Sequence, residues 1–426
     1  MMDLSIEKLQ KKLIFFVNKN KKDHHKNYDE IDYFNTWLSN LGNFNLKKKF
    51  LEISTWENLK LSFFLFYKKN ISQNYKFYEN TNHNSKLRKQ YQNLIISFKS
   101  NNTDFDTHFS SKRKNSKNSL WFLINLTDND LIEKSNSIII SKKKIQNLFL
   151  IKIKTIFLFI FWFFLSKKNH YEKNFLDTLS SAMDKVDLAR VRKVFFPYEA
   201  QPYQKYLINF IKEKNPKCKI IAYCHGGLPS VPVEYIHNKL VDRIYVHSKT
   251  EKQILTNFFS WKKSKIFVSK SFRHINKKKI NSNKFYLPYS FHYDYKLEEN
   301  LNFLSQKYDL SSIKIVSHPF SKNTINQKKL IDYFNKIKKI SSKSRKNRDK
   351  LAIFLGVTGS ILEALQNKLT VIHVTNNPHF ELYSNFLWKN IKIKQISKRI
   401  FVYKLKKKHN LIQYSSINYF IKKHRL

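Results

Sequence analysis

The sequence predicts an α/β protein made of two Rossmann-like halves facing a cleft, with a mainly helical N-terminal extension. Three observations carry this. From about residue 190 onward, short apolar runs alternate with amphipathic stretches at the spacing of βαβ units. A polar, basic stretch without periodicity, residues 271–284 (SFRHINKKKINSNK), divides that region in two as a linker. Four of the five glycines in the 426 residues stand in two tight clusters, Gly226-Gly227 and Gly356 with Gly359, each at the C-terminal end of a predicted strand.

The elements follow in order. Residues 1–20 alternate charged and apolar residues at helical spacing (Leu4, Leu9, Leu13, Phe16). They lack the uninterrupted apolar core and small-residue cleavage site of a signal peptide, so the expected location is cytoplasmic. The rest of 1–180 mixes helical-looking stretches, such as 56–69, with Asn-rich and Lys-rich connectors at 81–89 and 110–118. Its most apolar segment is 148–165 (LFLIKIKTIFLFIFWFFL), where Lys152 and Lys154 leave only 155–165 free of charge. That is short of the roughly 20 residues of a spanning helix. A buried core element, an interfacial helix on anionic lipid and a true span all remain open for it.

In the first half, 193–196 is a short apolar run, 203–214 a helix, 219–224 (KIIAYC) a strand, 234–240 a helix, 243–246 a strand, 250–259 a helix and 265–268 a strand. In the second, 313–316 is a strand, 327–340 a helix, 341–350 a basic loop, 351–355 (LAIFL) a strand, 360–366 a helix and 370–374 a strand. The expected division is 1–180, either an acceptor- or membrane-associated region or part of the first Rossmann-like half; 181–275, the Rossmann-like acceptor domain; and 285–426, the Rossmann-like nucleotide-donor domain.

Composition narrows the function classes. There are 80 Lys plus Arg against 31 Asp plus Glu, a net charge of +49. Such a balance points to nucleic acid or an anionic membrane as partner. The lysines are scattered along the whole chain, though, and accompany heavy use of Asn, Ile, Phe and Tyr, the residues that AT-rich codons supply. Only two cysteines occur, Cys218 and Cys224, which excludes a disulfide framework.

In a chain that avoids glycine, the two clusters mark positions needing positive φ or close backbone approach, at the sheet edge where open α/β sheets bind ligands. Gly356-Val357-Thr358-Gly359-Ser360 joins a strand to a helix, offering N–H groups and two hydroxyls to a phosphate. It is no Walker loop, since no Gly-Lys-Ser/Thr follows. A plainer reading makes Ser360 an N-cap with Glu363 as capping-box partner; that accounts for those two residues and for neither glycine. Ser317-His318-Pro319 ends the preceding strand and sets an imidazole at the same edge. In the other half, His225 precedes Gly226-Gly227 and is suited to general base chemistry. Glu199, in Pro197-Tyr198-Glu199-Ala200-Gln201-Pro202, is a carboxylate at that edge, open to reading as a base, as a hydroxyl-orienting group or, more plainly, as a surface residue capping a helix. Two Asp-x-Asp triplets, Asp104 to Asp106 and Asp128 to Asp130, follow no clear strand, and no zinc spacing is present.

Taken in order, the Glu-x-Gln-Pro element, the strand with His-Gly, the linker, the strand with His-Pro and Gly-x-x-Gly-Ser-x-x-Glu-Ala-Leu resemble the two-domain GT-B transferases of surface polysaccharide and capsule synthesis. The similarity is greatest to the polysialyltransferase-like and CDP-glycerol glycerophosphotransferase-like groups, and covers about residues 190–390. The resemblance implies a cell-envelope glycosyltransferase without a cofactor, acting on a nucleotide-activated donor (CMP- or other NDP-linked) and a glycan or lipid-linked acceptor. It assigns His318, Pro319, Gly356, Thr358, Gly359, Ser360 and Glu363 to the donor. Arg273 falls where such enzymes place a cation facing the donor. His225 and Glu199 are assigned to catalysis, and Gly226 and Gly227 to the acceptor side. The usual serine pair is here Thr358-Gly359-Ser360, and residues 1–180 have no counterpart. In this reading the basic surface and 148–165 bring the enzyme to the inner face of the cytoplasmic membrane. The alternatives are a non-enzymatic basic protein that binds nucleic acid or anionic membrane, and an epimerase on the same fold.

Overall fold

Parallel strands buried on both faces need continuous apolar runs, and those runs build the first sheet. The computed structural model describes residues 4–19, 74–80, 91–99, 119–125, 137–143, 179–198, 200, 202–224, 226–236, 238–269, 280–288, 291, 293–318, 325–340, 350–356, 358–376, 378–406 and 409–413. The first sheet has eight strands: β1 (Asn74–Asn80), β2 (Asn93–Lys99), β3 (Ser119–Asn125), β4 (Ser137–Lys143), β5 (Lys193–Tyr198), β6 (Lys219–Cys224), β7 (Arg243–Val246) and β8 (Ile266–Val268). Their order is β1-β4-β3-β2-β5-β6-β7-β8. Only β1 runs antiparallel to its neighbour. From β2 the chain winds outward through β3 and β4, then crosses back to β5 and winds the other way, which is the doubly wound order.

Among the described residues of 1–180 strands outnumber helix, so the mainly helical character expected of the extension does not hold for them. Helix α1 (Leu4–Lys19) is where the spacing puts it, but β1 to β4 supply half of the first sheet. Runs such as NLIISFK and SLWFLIN have no periodicity to separate a buried strand from a buried helix. The segments 56–69 and 148–165 lie outside the described residues. Among the described residues no helix is long and apolar enough to cross a membrane.

Helices α2 (Pro202–Lys214) and α3 (Lys249–Phe258) follow the sequence reading closely. Proline at the first position of α2 loses no helical hydrogen bond there. The helix expected over 234–240 is only a 3-10 turn, Val233–Ile236.

The second sheet holds β9 (Lys284–Tyr286), β10 (Lys314–Val316), β11 (Leu351–Leu355), β12 (Thr370–Val374), β13 (Ile391–Ser397) and β14 (Ile400–Leu405), in the order β10-β9-β11-β12-β14-β13. The first four are parallel, and β14 and β13 close the edge as an antiparallel hairpin. With them go α4 (Tyr295–Lys307), α5 (Ile325–Ile340), α6 (Ser360–Gln366) and α7 (Pro378–Glu381). Strand β9 begins at the last residue of the stretch read as linker; three residues, KFY, in a basic surrounding are too short a signal to see.

Alternation along β11 divides its side chains between two cores. Leu351, Ile353 and Leu355 pack with Leu301, Leu304, Leu330 and Phe334 of α4 and α5. Ala352 and Phe354 belong to a larger core that also contains Leu228, Val231, Ile254 and Leu255 of the first half. The two halves therefore share apolar interior. Across that seam Trp388 Nε1 donates to the Ser230 carbonyl (2.8 Å), Ser230 Oγ donates to the Phe380 carbonyl (2.6 Å), and Asn390 Nδ2 donates to Thr250 Oγ1 (2.5 Å).

Candidate functional site

The first glycine turn leaves the C-terminal end of β6. Gly227 has φ +85°, the left-handed region that glycine enters without steric cost. Behind the turn lies Glu251, fully buried in the first turn of α3. Its Oε1 accepts from the Leu228 N–H at 2.8 Å and its Oε2 from the His247 N–H at 2.5 Å. Ser248 Oγ in turn accepts from the Glu251 N–H (3.2 Å), so Ser-x-x-Glu makes a capping box whose carboxylate also holds the neighbouring turn. Burial pushes the Glu251 carboxyl up to about 7, against the opposing pull of these N–H bonds. His247 Nε2 lies 2.8 Å from the Cys224 carbonyl, which can only accept, so this nitrogen carries the proton.

The second turn leaves β11. Gly356 has φ +61°, and its N–H donates to the Val374 carbonyl at 2.9 Å. Its own carbonyl accepts from Nε2 of the fully buried His373 (2.8 Å), whose Nδ1 accepts from the Tyr403 hydroxyl (2.9 Å). Burial holds this imidazole down at about 4, the bond to Gly356 opposing. Each glycine turn is thus braced from beneath by one buried titratable side chain.

Ser360 is the first residue of α6 and not its cap. Gly359 takes the N-cap position with no side-chain bond, and Thr358 Oγ1 accepts from the Ser360 N–H at 3.3 Å. The capping box expected of Ser360 and Glu363 is replaced by this arrangement. The N–H groups of Ile361 and Leu362 reach the Thr358 and Gly359 carbonyls at 3.3 and 3.2 Å, beyond the usual optimum. Thr358, Gly359 and Ser360 are half-buried, while Glu363 is buried.

Strand order decides what this turn can do. In the second sheet the winding reverses between β9 and β11, and ligands of doubly wound sheets bind outside the strand C-termini at such a switch point. The Gly356 turn follows β11, Leu287-Pro288 follows β9, and half-buried His318 follows β10 on the next strand over. A β-carbon on Gly356 would stand 3.7 Å from Pro288 Cγ.

The two turns, read from the sequence as separate features, meet. A β-carbon on Gly359 would stand 2.9 Å from the Gly226 carbonyl oxygen, and one on Gly227 would stand 3.7 Å from Leu362 Cδ1 of α6. Gly226, Gly227 and Gly359 thus form one contact, with Gly356, Thr358, Ser360 and His318 along the adjoining edge. Glu199, His225, Arg273 and Pro319 lie outside the described residues, as do both Asp-x-Asp triplets. Among the described residues no group of three or more His, Cys, Asp or Glu side chains is placed to hold a metal ion.

Sequence reasoning missed Glu251 and His373. For Glu251 a signal existed, since Ser248-Lys249-Thr250-Glu251 follows a strand with one residue between. His373 is one polar residue inside the apolar strand TVIHV.

The fold and these turns define a two-sheet α/β protein whose parts converge on paired glycine turns. No protein-family model matches the chain, and no curated protein matches it. Among solved structures, a glycosyltransferase from Rickettsia africae ESF-5 is similar over 70% of this chain and 87% of that one, with 12% identity and a TM-score of 0.33.

Proposed function

We propose that the chain is a glycosyltransferase that moves a sugar or polyol-phosphate unit from a nucleotide-activated donor to a glycan or lipid-linked acceptor in surface polysaccharide synthesis. The observation that supports it best is the meeting of the Gly356–Ser360 turn, at the switch point of the second sheet, with the Gly226-Gly227 turn of the first. A two-substrate transfer needs a donor pocket and an acceptor pocket on opposite walls of one site.

In this reading the acceptor hydroxyl attacks the carbon, or phosphorus, that bears the nucleotide. The bond to the nucleotide's phosphate oxygen breaks, and that oxygen leaves with the electron pair. Developing negative charge there is met by the Ser360 and Thr358 hydroxyls, by turn N–H groups whose internal bonds are long enough to exchange, and by His318. The acceptor proton passes to His225 or Glu199, the two bases that the sequence offers on the first half. Arg273 adds a cation facing the donor. No cofactor enters the scheme. A lipid-linked acceptor accounts for a basic protein that works peripherally at the inner face of the cytoplasmic membrane.

The test is a thermal-shift screen of the protein against CMP, CDP, UDP, GDP and ADP, repeated on His318→Ala and Ser360→Ala. The expected result is a shift with one nucleotide that both variants lose. If no nucleotide shifts the transition, the donor assignment falls.

A further inference from the structure

A surface depression of about 330 Å³ lies beside the β13–β14 hairpin, lined by Asn385, Lys389, Lys392, Ile393 and Lys406. Three of the five lining residues are lysines and none is acidic. On the hairpin Lys392 stands directly opposite Lys404, a like-charge pairing that antiparallel strands ordinarily avoid. An anion lowers the cost of that pairing.

The lysines are carried by a fixed frame. Lys406 donates its backbone N–H to the Asn390 carbonyl (3.0 Å) and its Nζ to the Lys389 carbonyl (2.6 Å). Lys389 itself stands between Trp388 and Asn390, both of which are hydrogen-bonded to the first half.

The basic surface continues onto α1. Next to Asn385, the Phe386 ring has Lys11 Nζ over it at 5.1 Å. On α1 the residues Ile6, Leu13, Ile14 and Val17 are buried, while Lys8, Lys11, Lys12, Phe15 and Lys19 are exposed, with Glu7 as the acid beside them. Phe15 is 71% exposed, one turn beyond Lys11. A basic helix face bearing one large apolar side chain is the composition of an interfacial element.

We propose that the depression at Lys389, Lys392 and Lys406, with the outward face of α1, docks the protein on an anionic lipid surface. The pocket lysines take phosphate-bearing headgroups, and Phe15 enters the acyl boundary. This assigns membrane contact to described residues of the second half and α1 rather than to 148–165, and it does not depend on the transferase reading.

The experiment is flotation of the full chain with vesicles of phosphatidylcholine alone or mixed with phosphatidylglycerol, at physiological salt. Binding is expected to the mixed vesicles alone. Changing Lys389, Lys392 and Lys406 together to Gln should weaken it about 100-fold, given the attraction of each basic residue to an anionic surface. Phe15→Ser should weaken it about tenfold through lost apolar burial. The matching triple on α5, Lys328→Gln, Lys329→Gln and Lys336→Gln, controls for overall charge and should retain binding. Equal loss in both triples, full retention in the pocket triple, or tighter binding of single-stranded RNA through the same lysines would overturn the proposal. The pocket triple keeps its nucleotide-induced thermal shift, so the two readings fail separately.

Discussion

The carbonyl oxygen of Gly226 lies 2.9 Å from the point where Gly359 would carry a β-carbon, so the backbones of the two halves touch at a place where neither has a side chain. Gly359 has φ −63°, which any residue adopts. Its requirement for glycine is therefore close approach alone.

It follows that Gly359→Ala forces the Gly226 backbone to move, at a cost of about 1–3 kcal/mol, the range for overpacking a filled site. Gly356→Ala meets nothing nearer than Pro288 Cγ at 3.7 Å, and its cost of about 1–2 kcal/mol comes from φ +61°. Urea unfolding measures both. Since only the first displaces the facing turn, Gly359→Ala should also abolish the nucleotide-induced thermal shift.

The two bracing residues act oppositely with pH. Glu251 ionises at about 7 in the fold against an ordinary 4.5, so the folded state holds its proton more tightly and stability falls as pH rises from 4.5 to 7. His373 titrates at about 4 against an ordinary 6.5, so stability falls as pH drops from 6.5 to 4. Each effect spans about 3–4 kcal/mol at most, at 1.36 kcal/mol per unit, and in the overlap they nearly cancel. Relative to the parent, Glu251→Gln should lose stability as pH falls through that window, and His373→Gln as pH rises through it. Unfolding curves across the window read the two slopes; parallel curves for all three proteins would contradict the assignment.

At the seam, Trp388→Phe removes the N–H that satisfies the buried Ser230 carbonyl, which should cost about 1–3 kcal/mol. Trp388→Ala adds a cavity and should cost about 3–5 kcal/mol. Because the core is shared, calorimetry should show the two halves unfolding in one transition, and the alanine variant should separate them.

Donor contact makes a sharper distinction between neighbouring hydroxyls. Thr358 Oγ1 is engaged by the Ser360 N–H, so Thr358→Ala should lower both stability and the nucleotide shift. Ser360 caps nothing, and Ser360→Ala should lower the shift while leaving the unfolding midpoint of the free protein nearly unchanged.

What the chain settled by itself is local. Apolar runs and amphipathic stretches mark α1, β5 to β8, β10 to β12, α2, α3, α5 and α6 because burial of a strand or a helix face depends on residues a few positions apart. In a chain with five glycines, the positions that need positive φ or close approach also stand out unaided. Tertiary structure decided the rest. It recruited β1 to β4 into the first sheet, placed the three-residue β9 at the switch point, and ended a segment read as helix after one 3-10 turn. It also set Gly226 against Gly359, Leu228 on Glu251 and Gly356 on His373. Those pairings join groups 17 to 133 positions apart, as the residue numbers show. Periodicity has no reach at that separation, and the buried N–H and carbonyl groups that bind them find their partners only once the two sheets close over them.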